Sequence, residues 1–152
     1  LQEPDLPAWR AAVDQLGERQ RDYLLLTLYT GLRRNECREL RRGQIDLVAG
    51  VLSVPVTKNG KPHTLPITPM MREVLVRRCM GLRGDDELFA GVSAEHVHSM
   101  AMRVGAHKFM LHDLRKLVMT EWLPCVSEIS SIPRHSCMQT PCKSDADKEH
   151  AG

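Results

Sequence analysis

The run YLLLTLYTGLRR, residues 23–34, constrains the fold of this chain more than any other stretch. A helix over residues 18–30 would be apolar on nearly every side, which is typical of a helix buried at the centre of a domain. Gly31 is suited to end this helix, because glycine readily adopts the left-handed conformation found after helix C-termini. We therefore predict a buried helix that ends at Gly31 and places Arg33 and Arg34 beside the core.

Further helices are predicted from start and stop signals along the chain. Asp5 and Thr68 are suited to N-caps, and Gly17 and Gly81 to helix stops. Asn35 is suited to cap a short helix. The predicted helices lie between residues 5 and 17, 35 and 40, 68 and 81, 93 and 107, and 112 and 122.

A β pattern replaces the helical one over residues 46–68, where Val-, Leu- and Thr-rich runs flank turn signals at Ala49-Gly50 and Asn59-Gly60. This pattern predicts two or three antiparallel strands. The expected fold class is therefore α+β, mostly helical with one small antiparallel sheet. Residues 124–152 carry prolines, many polar residues and only a weak apolar pattern, so we expect an irregular or mobile segment there.

Composition limits the partners and the compartment of the chain. Its 152 residues suit one domain, and a net charge of +2 means that any surface for an acidic partner must come from clustered cations. No window approaches the roughly 18 consecutive apolar residues of a membrane span, so no membrane partner is expected. The start LQEPDLPAW is neither a signal sequence nor a Met start. We interpret the chain as a fragment of a longer protein.

The five cysteines are irregularly spaced, and their odd number favours a reducing compartment, with the cytoplasm as the expected location. Zinc is an alternative interpretation of the Cys- and His-rich tail, but the spacing matches no CxxC-type pair. We therefore predict no metal site.

His96 and His98 alternate on different helix faces, which favours surface positions for both.

Basic and imidazole side chains stand at predicted element boundaries rather than along helix faces. Arg33 follows a glycine turn, Lys58 lies at a hairpin tip, and His112 and Arg115 open a helix in HDLRK. Two guanidinium forks, a lysine and an imidazole are suited to hold one phosphodiester and to transfer a proton. The sequence has no matching carboxylate set for Mg²⁺ and no glycine-rich phosphate loop. The physical hypothesis is a phosphoryl-transfer site that needs no metal or other cofactor.

Four stretches in this order resemble the catalytic domain of the tyrosine recombinases, the phage integrase family: LYTGLRRNECREL, QIDL, VPVTKNGKPHTLPIT and HDLRK. The resemblance implies an integrase-like catalytic core over residues 1–123. It implies that residues 124–152 would carry the nucleophile, and that the family's N-terminal core-binding domain is absent. It also implies a bacterial or phage-encoded protein that acts on double-stranded DNA, self-associates on it and takes no small-molecule substrate.

The family's functional residues map onto named positions of this chain. Arg33 and Arg115 match the two arginines that clamp the phosphate, and Glu36 matches the acidic residue that supports the first of them. His112 matches the imidazole beside the second arginine. Lys58 matches the lysine that protonates the leaving 5′ oxygen.

The C-terminal part of the motif set departs from the family pattern. His135 is the best match for the family's last histidine, and Ser144 stands where the nucleophilic tyrosine is expected. A phenol ionises near pKa 10, whereas an aliphatic hydroxyl is considerably more basic and needs a dedicated base. The only tyrosines of the sequence, Tyr23 and Tyr29, lie in the predicted buried helix, which makes neither a suitable nucleophile. An altered residue, a degraded C-terminus, a decayed copy and a tyrosine from another chain all remain open.

Two functions therefore follow as expectations. The first is a site-specific recombinase, or integrase, that cleaves and rejoins DNA strands through a phosphate clamp. The alternative is a catalytically disabled, recombinase-derived DNA-binding module, because no tyrosine occupies the nucleophile position.

Overall fold

The computed structural model describes residues 1–55 and 61–118. Within these ranges the α-helices are α1 (Leu6–Val13), α2 (Glu18–Thr30), α3 (Arg34–Arg38), α4 (Pro69–Cys79), α5 (Ala94–Arg103) and α6 (Leu111–Leu117). The strands are β1 (Ile45–Asp46), β2 (Val51–Val54) and β3 (His63–Pro66), which form one antiparallel sheet in the order β1-β2-β3. The predicted α+β class, mostly helical with a small antiparallel sheet, is confirmed. Across the described ranges, every helix is too short or too polar to cross a membrane.

Helix α2 lies at the centre of the hydrophobic core, as its sequence predicts. Every residue from Asp22 to Leu28 is buried, and the helix packs against α3, α4 and α6. Thr27 and Thr30 are polar but buried, and their hydroxyls donate to the carbonyls one turn earlier, at 2.8 and 2.7 Å. These bonds satisfy both hydroxyls, so α2 can be enclosed on all sides. Gly31 ends the helix with a left-handed φ of 67°.

A buried ion-pair network joins α2 to α4. The Asp22 carboxylate is fully buried and accepts two hydrogen bonds from the Arg77 guanidinium, at 2.6 and 2.9 Å. Nε of Arg78 lies 2.9 Å from Oδ2 of Asp22, which is close enough for ion pairing, although the direction of its N–H does not make a hydrogen bond. Glu18 contacts both arginines from the exposed side. The two helices are thus held together by a desolvated charge as well as by apolar packing.

Gly17 and Asn35 do not mark the helix ends predicted for them. Helix α1 ends at Val13, and Gly17 is instead the N-cap of α2, with an extended ψ of 148°. Asn35 lies inside α3 rather than capping it, because the N-cap is Arg33, whose backbone N–H donates to the Glu36 carboxylate one turn later. Both errors arise because turn-forming residues mark a change of direction without showing which side of it is helical.

The caps of α4 and α5 agree better with the sequence. The Thr68 hydroxyl accepts from the N–H of Met71 at 3.3 Å, which confirms it as the cap of α4. Helix α5 begins after Ser93 as predicted but ends at Arg103, ahead of a left-handed Gly105. The predicted end of α6, at residue 122, lies outside the described residues.

The sheet has a buried middle strand. Leu52 and Val54 of β2 face the core, while Ser53 between them is exposed. The turn between β1 and β2 is the predicted one: Asp46 Oδ1 accepts from two following backbone N–H groups, and Gly50 has a φ of 72°. The second predicted turn, at Asn59-Gly60, lies outside the described residues, as does the predicted irregular segment over residues 124–152.

Cys37 and Cys79 are buried free thiols. Burial raises the pKa of Cys37 to about 12, and burial also raises the pKa of Cys79. A thiol with a raised pKa is a poor nucleophile at neutral pH, so the role of both residues is packing in the hydrophobic core.

Candidate active site

A cavity of about 780 Å³ opens between the start of α3, one face of α5 and the start of α6. Its charged and imidazole lining residues are Arg33, Arg34, Glu95, His98, His112 and Arg115. Three guanidinium groups and one carboxylate make the lining net positive at neutral pH. We call it the clamp cavity, and we call Arg33, His112 and Arg115 the clamp residues.

Arg33 reaches the cavity because the chain reverses direction directly before it. Gly31 takes the left-handed conformation and Leu32 is buried, so the next side chain is fixed at the edge of the core. Glu36 then holds Arg33 twice: Oε2 accepts from its backbone N–H at 2.8 Å, and Oε1 lies 3.4 Å from Nη1. A guanidinium has five N–H donors, so this contact leaves others for a ligand.

His112 and Arg115 enter the cavity from α6. They stand three residues apart, which places them on the same helix face. Leu114 and Leu117 are buried on another face and anchor the helix to the core. The Asp113 carboxylate accepts from the N–H of Met110 at 2.8 Å and so caps the start of α6. His112 is exposed and Arg115 half-buried, as suits side chains that must meet a ligand.

The two segments that carry the arginines approach each other closely at Gly31 and Val118. A Cβ atom placed on Gly31 would lie 3.2 Å from Cγ1 of Val118, closer than almost all such contacts. Gly31 precedes Arg33 by two residues, and Val118 follows Arg115 by three. The absence of a side chain at Gly31 therefore allows the end of α2 to approach the end of α6.

Helix α5 adds residues that the sequence did not single out for the site. Glu95, His98 and Ser99 are spaced i, i+3, i+4 and share the helix face that lines the cavity. His96 is exposed as predicted, but the surface position predicted for His98 is wrong. His98 is half-buried, with Nε2 2.7 Å from the carbonyl oxygen of Phe109. Because a carbonyl only accepts, Nε2 must carry the hydrogen of this bond.

Neither of the chain's tyrosines lines the clamp cavity. Tyr23 is fully buried, its hydroxyl donates to the carbonyl of Arg34 at 3.1 Å, and burial raises its pKa well above the ordinary value. The hydroxyl of the half-buried Tyr29 accepts from Arg10 at 2.8 Å. Both hydroxyls are therefore engaged within the core or at its edge.

The remaining predicted site residues, Lys58, His135 and Ser144, lie outside the described residues. Within residues 1–55 and 61–118, no group of three or more His, Cys, Asp or Glu side chains is arranged to hold a metal ion.

The fold is similar to two crystal structures of a XerH site-specific recombinase. The pre-cleavage complex with the difH substrate is 18% identical, with a TM-score of 0.59, and the match covers 100% of this chain and 53% of that one. The post-cleavage complex with palindromic difH is 17% identical, with a TM-score of 0.60, and the match covers 99% and 51%. The chain thus spans about half the length of these proteins. At this identity the similarity concerns the fold.

The sequence comparisons give one family. No curated protein is similar enough to count as a match. The model of the phage integrase family, the tyrosine recombinases, matches residues 1–123, most of the chain. This match covers the α2–α3 turn and α6, which carry the clamp residues, and the sheet between them. The chain therefore belongs to the phage integrase family.

Proposed function

We propose that this chain is the catalytic domain of a site-specific recombinase that binds duplex DNA and holds one phosphodiester in the clamp cavity. The observation that carries the proposal is that Arg33, His112 and Arg115 line one net-positive cavity although they come from distant parts of the sequence. Arginine and histidine side chains that are merely solvated at the surface are not expected to line a single cavity. A phosphate is the group that two guanidinium forks and an imidazole match best.

The clamp residues have complementary roles in this proposal. Arg33 and Arg115 donate hydrogen bonds to the non-bridging oxygens, whose negative charge grows in the pentacovalent transition state. Because Glu36 and the core fix Arg33 beforehand, little reorganisation is needed as this charge develops. His112 donates to the phosphate or transfers a proton. Lys58 would protonate the leaving 5′ oxygen, and His135 would join the site from the C-terminal segment.

Double-stranded DNA is the proposed partner. The XerH recombinases with the same fold were crystallised on difH substrates, before and after cleavage. This chain spans about half of their length, so we expect the isolated chain to bind DNA weakly and with little sequence preference. Self-association on DNA is part of the same proposal.

Charge-neutral replacement of the clamp arginines tests the proposal. Arg33→Gln and Arg115→Gln should each weaken duplex binding several-fold, because each removes a phosphate contact. Each should also reduce the slope of log K against log salt by about 1. Fluorescence anisotropy with a labelled duplex at several salt concentrations measures both quantities.

Arg19→Gln is the matched control for these variants. Arg19 is exposed in the first turn of α2, and the clamp cavity lies beyond the last turn, which puts about 16 Å of helix between them. The same loss of charge there should change affinity less than twofold. Equal effects of all three replacements would mean that the chain binds DNA through its overall charge and not through the clamp cavity.

A second function, a recombinase-derived module that binds DNA without cleaving it, is favoured by the positions of the tyrosines. The chain has only two tyrosines, and both are engaged away from the clamp cavity. The nucleophile position falls on Ser144, whose hydroxyl is far more basic than a phenol. Under this proposal the clamp still holds phosphate, but no phosphotyrosyl bond forms.

A nicked suicide substrate distinguishes the two functions, because cleavage traps protein on DNA as a covalent adduct. If the chain is disabled at the nucleophile alone, the unaltered protein should give no adduct and Ser144→Tyr should give one, which peptide mapping should locate at the substituted position. Ser130→Tyr serves as the positional control and should stay inert. An adduct with the unaltered protein would contradict the disabled state.

A further inference from the structure

Arg34 and Glu95 form an ion pair on the wall of the clamp cavity. Nη1 of Arg34 lies 2.9 Å from Oε1 of Glu95, and both side chains line the same cavity as the clamp residues. Arg34 is the first residue of α3, directly after Arg33, and Glu95 lies in the first turn of α5. The cavity therefore holds a third guanidinium, whose charge is neutralised by the one carboxylate among the lining residues.

The Glu95 carboxylate is held in place and ionised. A hydrogen bond from its own backbone N–H, another from the Ser93 hydroxyl and the charge of Arg34 together lower its pKa. The Ser93 Oγ lies 3.3 Å from Oε2, on the side away from the Arg34 contact. A negative charge on the wall of a cationic cavity repels an incoming phosphate. Glu95 therefore lowers the affinity of the cavity for the anion that the arginines would bind.

The pair is nevertheless easy to separate. The Arg34 side chain is 54% exposed and that of Glu95 is 71% exposed, so water and salt screen their attraction. A DNA phosphodiester offers Arg34 a bidentate acceptor with the same single negative charge as a carboxylate, and the neighbouring phosphates of the duplex add to the attraction. Arg34 can therefore leave Glu95 when DNA enters the cavity, and the backbone before α3 does not have to move, because Leu32 and Cys37 anchor it in the core.

We infer that Arg34 is a further DNA-contacting residue, which exchanges Glu95 for the backbone phosphate next to the one held by the clamp residues. In the free protein, Glu95 masks Arg34 and lowers the affinity of the cavity for DNA. This inference rests on the proposed function, since it needs duplex DNA at the clamp cavity. It differs from a solvated surface arginine, because the contact with DNA requires that a specific ion pair break.

A double-mutant cycle tests the exchange. Duplex affinity is measured by fluorescence anisotropy for the unaltered chain, Glu95→Gln, Arg34→Gln and the double variant, at about 0.1 M salt. Glu95→Gln should bind about fivefold more tightly, because it removes the repelling charge and releases Arg34. Arg34→Gln should weaken binding in both backgrounds. Its effect should be two- to fivefold larger in the Glu95→Gln background, where no ion pair has to break on binding.

Glu87→Gln is the matched control. Glu87 pairs with Arg41 at 3.8 Å, and neither side chain lines the clamp cavity, so this variant removes the same charge from outside that cavity. It should raise affinity less than twofold. Thermal melts of all variants should coincide, because both ion pairs are exposed and contribute little to stability.

Contrary results would distinguish failure of the Arg34 exchange from failure of the proposed function. An additive cycle, or an equal gain from Glu87→Gln and Glu95→Gln, would overturn the exchange. Arg33→Gln belongs in the same series: if it weakens binding while the cycle is additive, the clamp stands and only the role of Arg34 is rejected. If Arg33→Gln has no effect, the proposed function fails and the inference fails with it.

Discussion

Replacing Asp22 with alanine is expected to lower the free energy of unfolding by about 3–5 kcal/mol. Asp22 is fully buried in α2, and its carboxylate faces the guanidinium groups of Arg77 and Arg78 on α4. The variant would leave the charges of two partly buried arginines without their buried counter-charge. Removing one partner of a buried pair is more costly than the net contribution of the pair, because the remaining charge stays desolvated.

Urea denaturation followed by circular dichroism measures this loss. Asp14→Ala is the matched control, because Asp14 pairs with Arg10 at 3.0 Å while both side chains are about half exposed. That variant should cost less than about 1 kcal/mol. If Asp22→Ala costs no more than Asp14→Ala, the network around Asp22 is not desolvated in solution, and α2 and α4 are held together by apolar contacts alone.

Gly31→Ala is expected to lower the free energy of unfolding by about 2–5 kcal/mol, as the sum of two effects. The left-handed φ of 67° costs a residue with a Cβ roughly 1–2 kcal/mol. The new methyl group would also lie 3.2 Å from Cγ1 of Val118, and overpacking of this kind costs about 1–3 kcal/mol. DNA affinity should fall as well, because relief of the overlap moves α6 away from the α2–α3 turn.

Two further variants separate strain from overpacking in denaturation experiments. Gly50 has a φ of 72° with no atom within 4 Å of an added Cβ, so Gly50→Ala should cost only the backbone term, roughly 1–2 kcal/mol. Val118→Ala in the Gly31→Ala background removes the overlapping methyl, so the double variant should lose less than the sum of the single losses. Equal costs for Gly31→Ala and Gly50→Ala would show that the contact with Val118 is loose.

Local sequence signals were enough to predict the elements that carry the clamp residues. The apolar run before Gly31 predicts both a buried helix and its end, since burial and a left-handed glycine leave distinct marks in sequence. The signal was weaker at Gly17, because a glycine between two helices suits the end of one as well as the start of the next. The boundary pattern also places His112 and Arg115 at the start of a helix, and the resemblance to family motifs gives both residues their predicted roles.

The α5 side of the cavity could not be predicted in the same way. Glu95 and His98 share a helix face, but their spacing does not indicate which element packs against that face. The contact between α3 and α5 joins residues about 60 positions apart in the chain, and long-range packing of this kind leaves no local pattern. The position of Arg34 opposite Glu95 follows from that packing and became visible only in three dimensions.

The direct approach of Gly31 to Val118 also affects the thermodynamics of ligand binding. Gly31 adds no side chain to this contact, and the one side chain between the two backbones is the buried, β-branched Val118, so the spacing of the Arg33 and Arg115 backbones is fixed by a stiff group. Folding of the domain therefore already costs the conformational entropy of bringing these two arginines together. Binding of a phosphate does not cost that entropy a second time. Anion binding should consequently show a smaller unfavourable entropy than binding to two independently mobile arginines, a difference that isothermal titration calorimetry can detect.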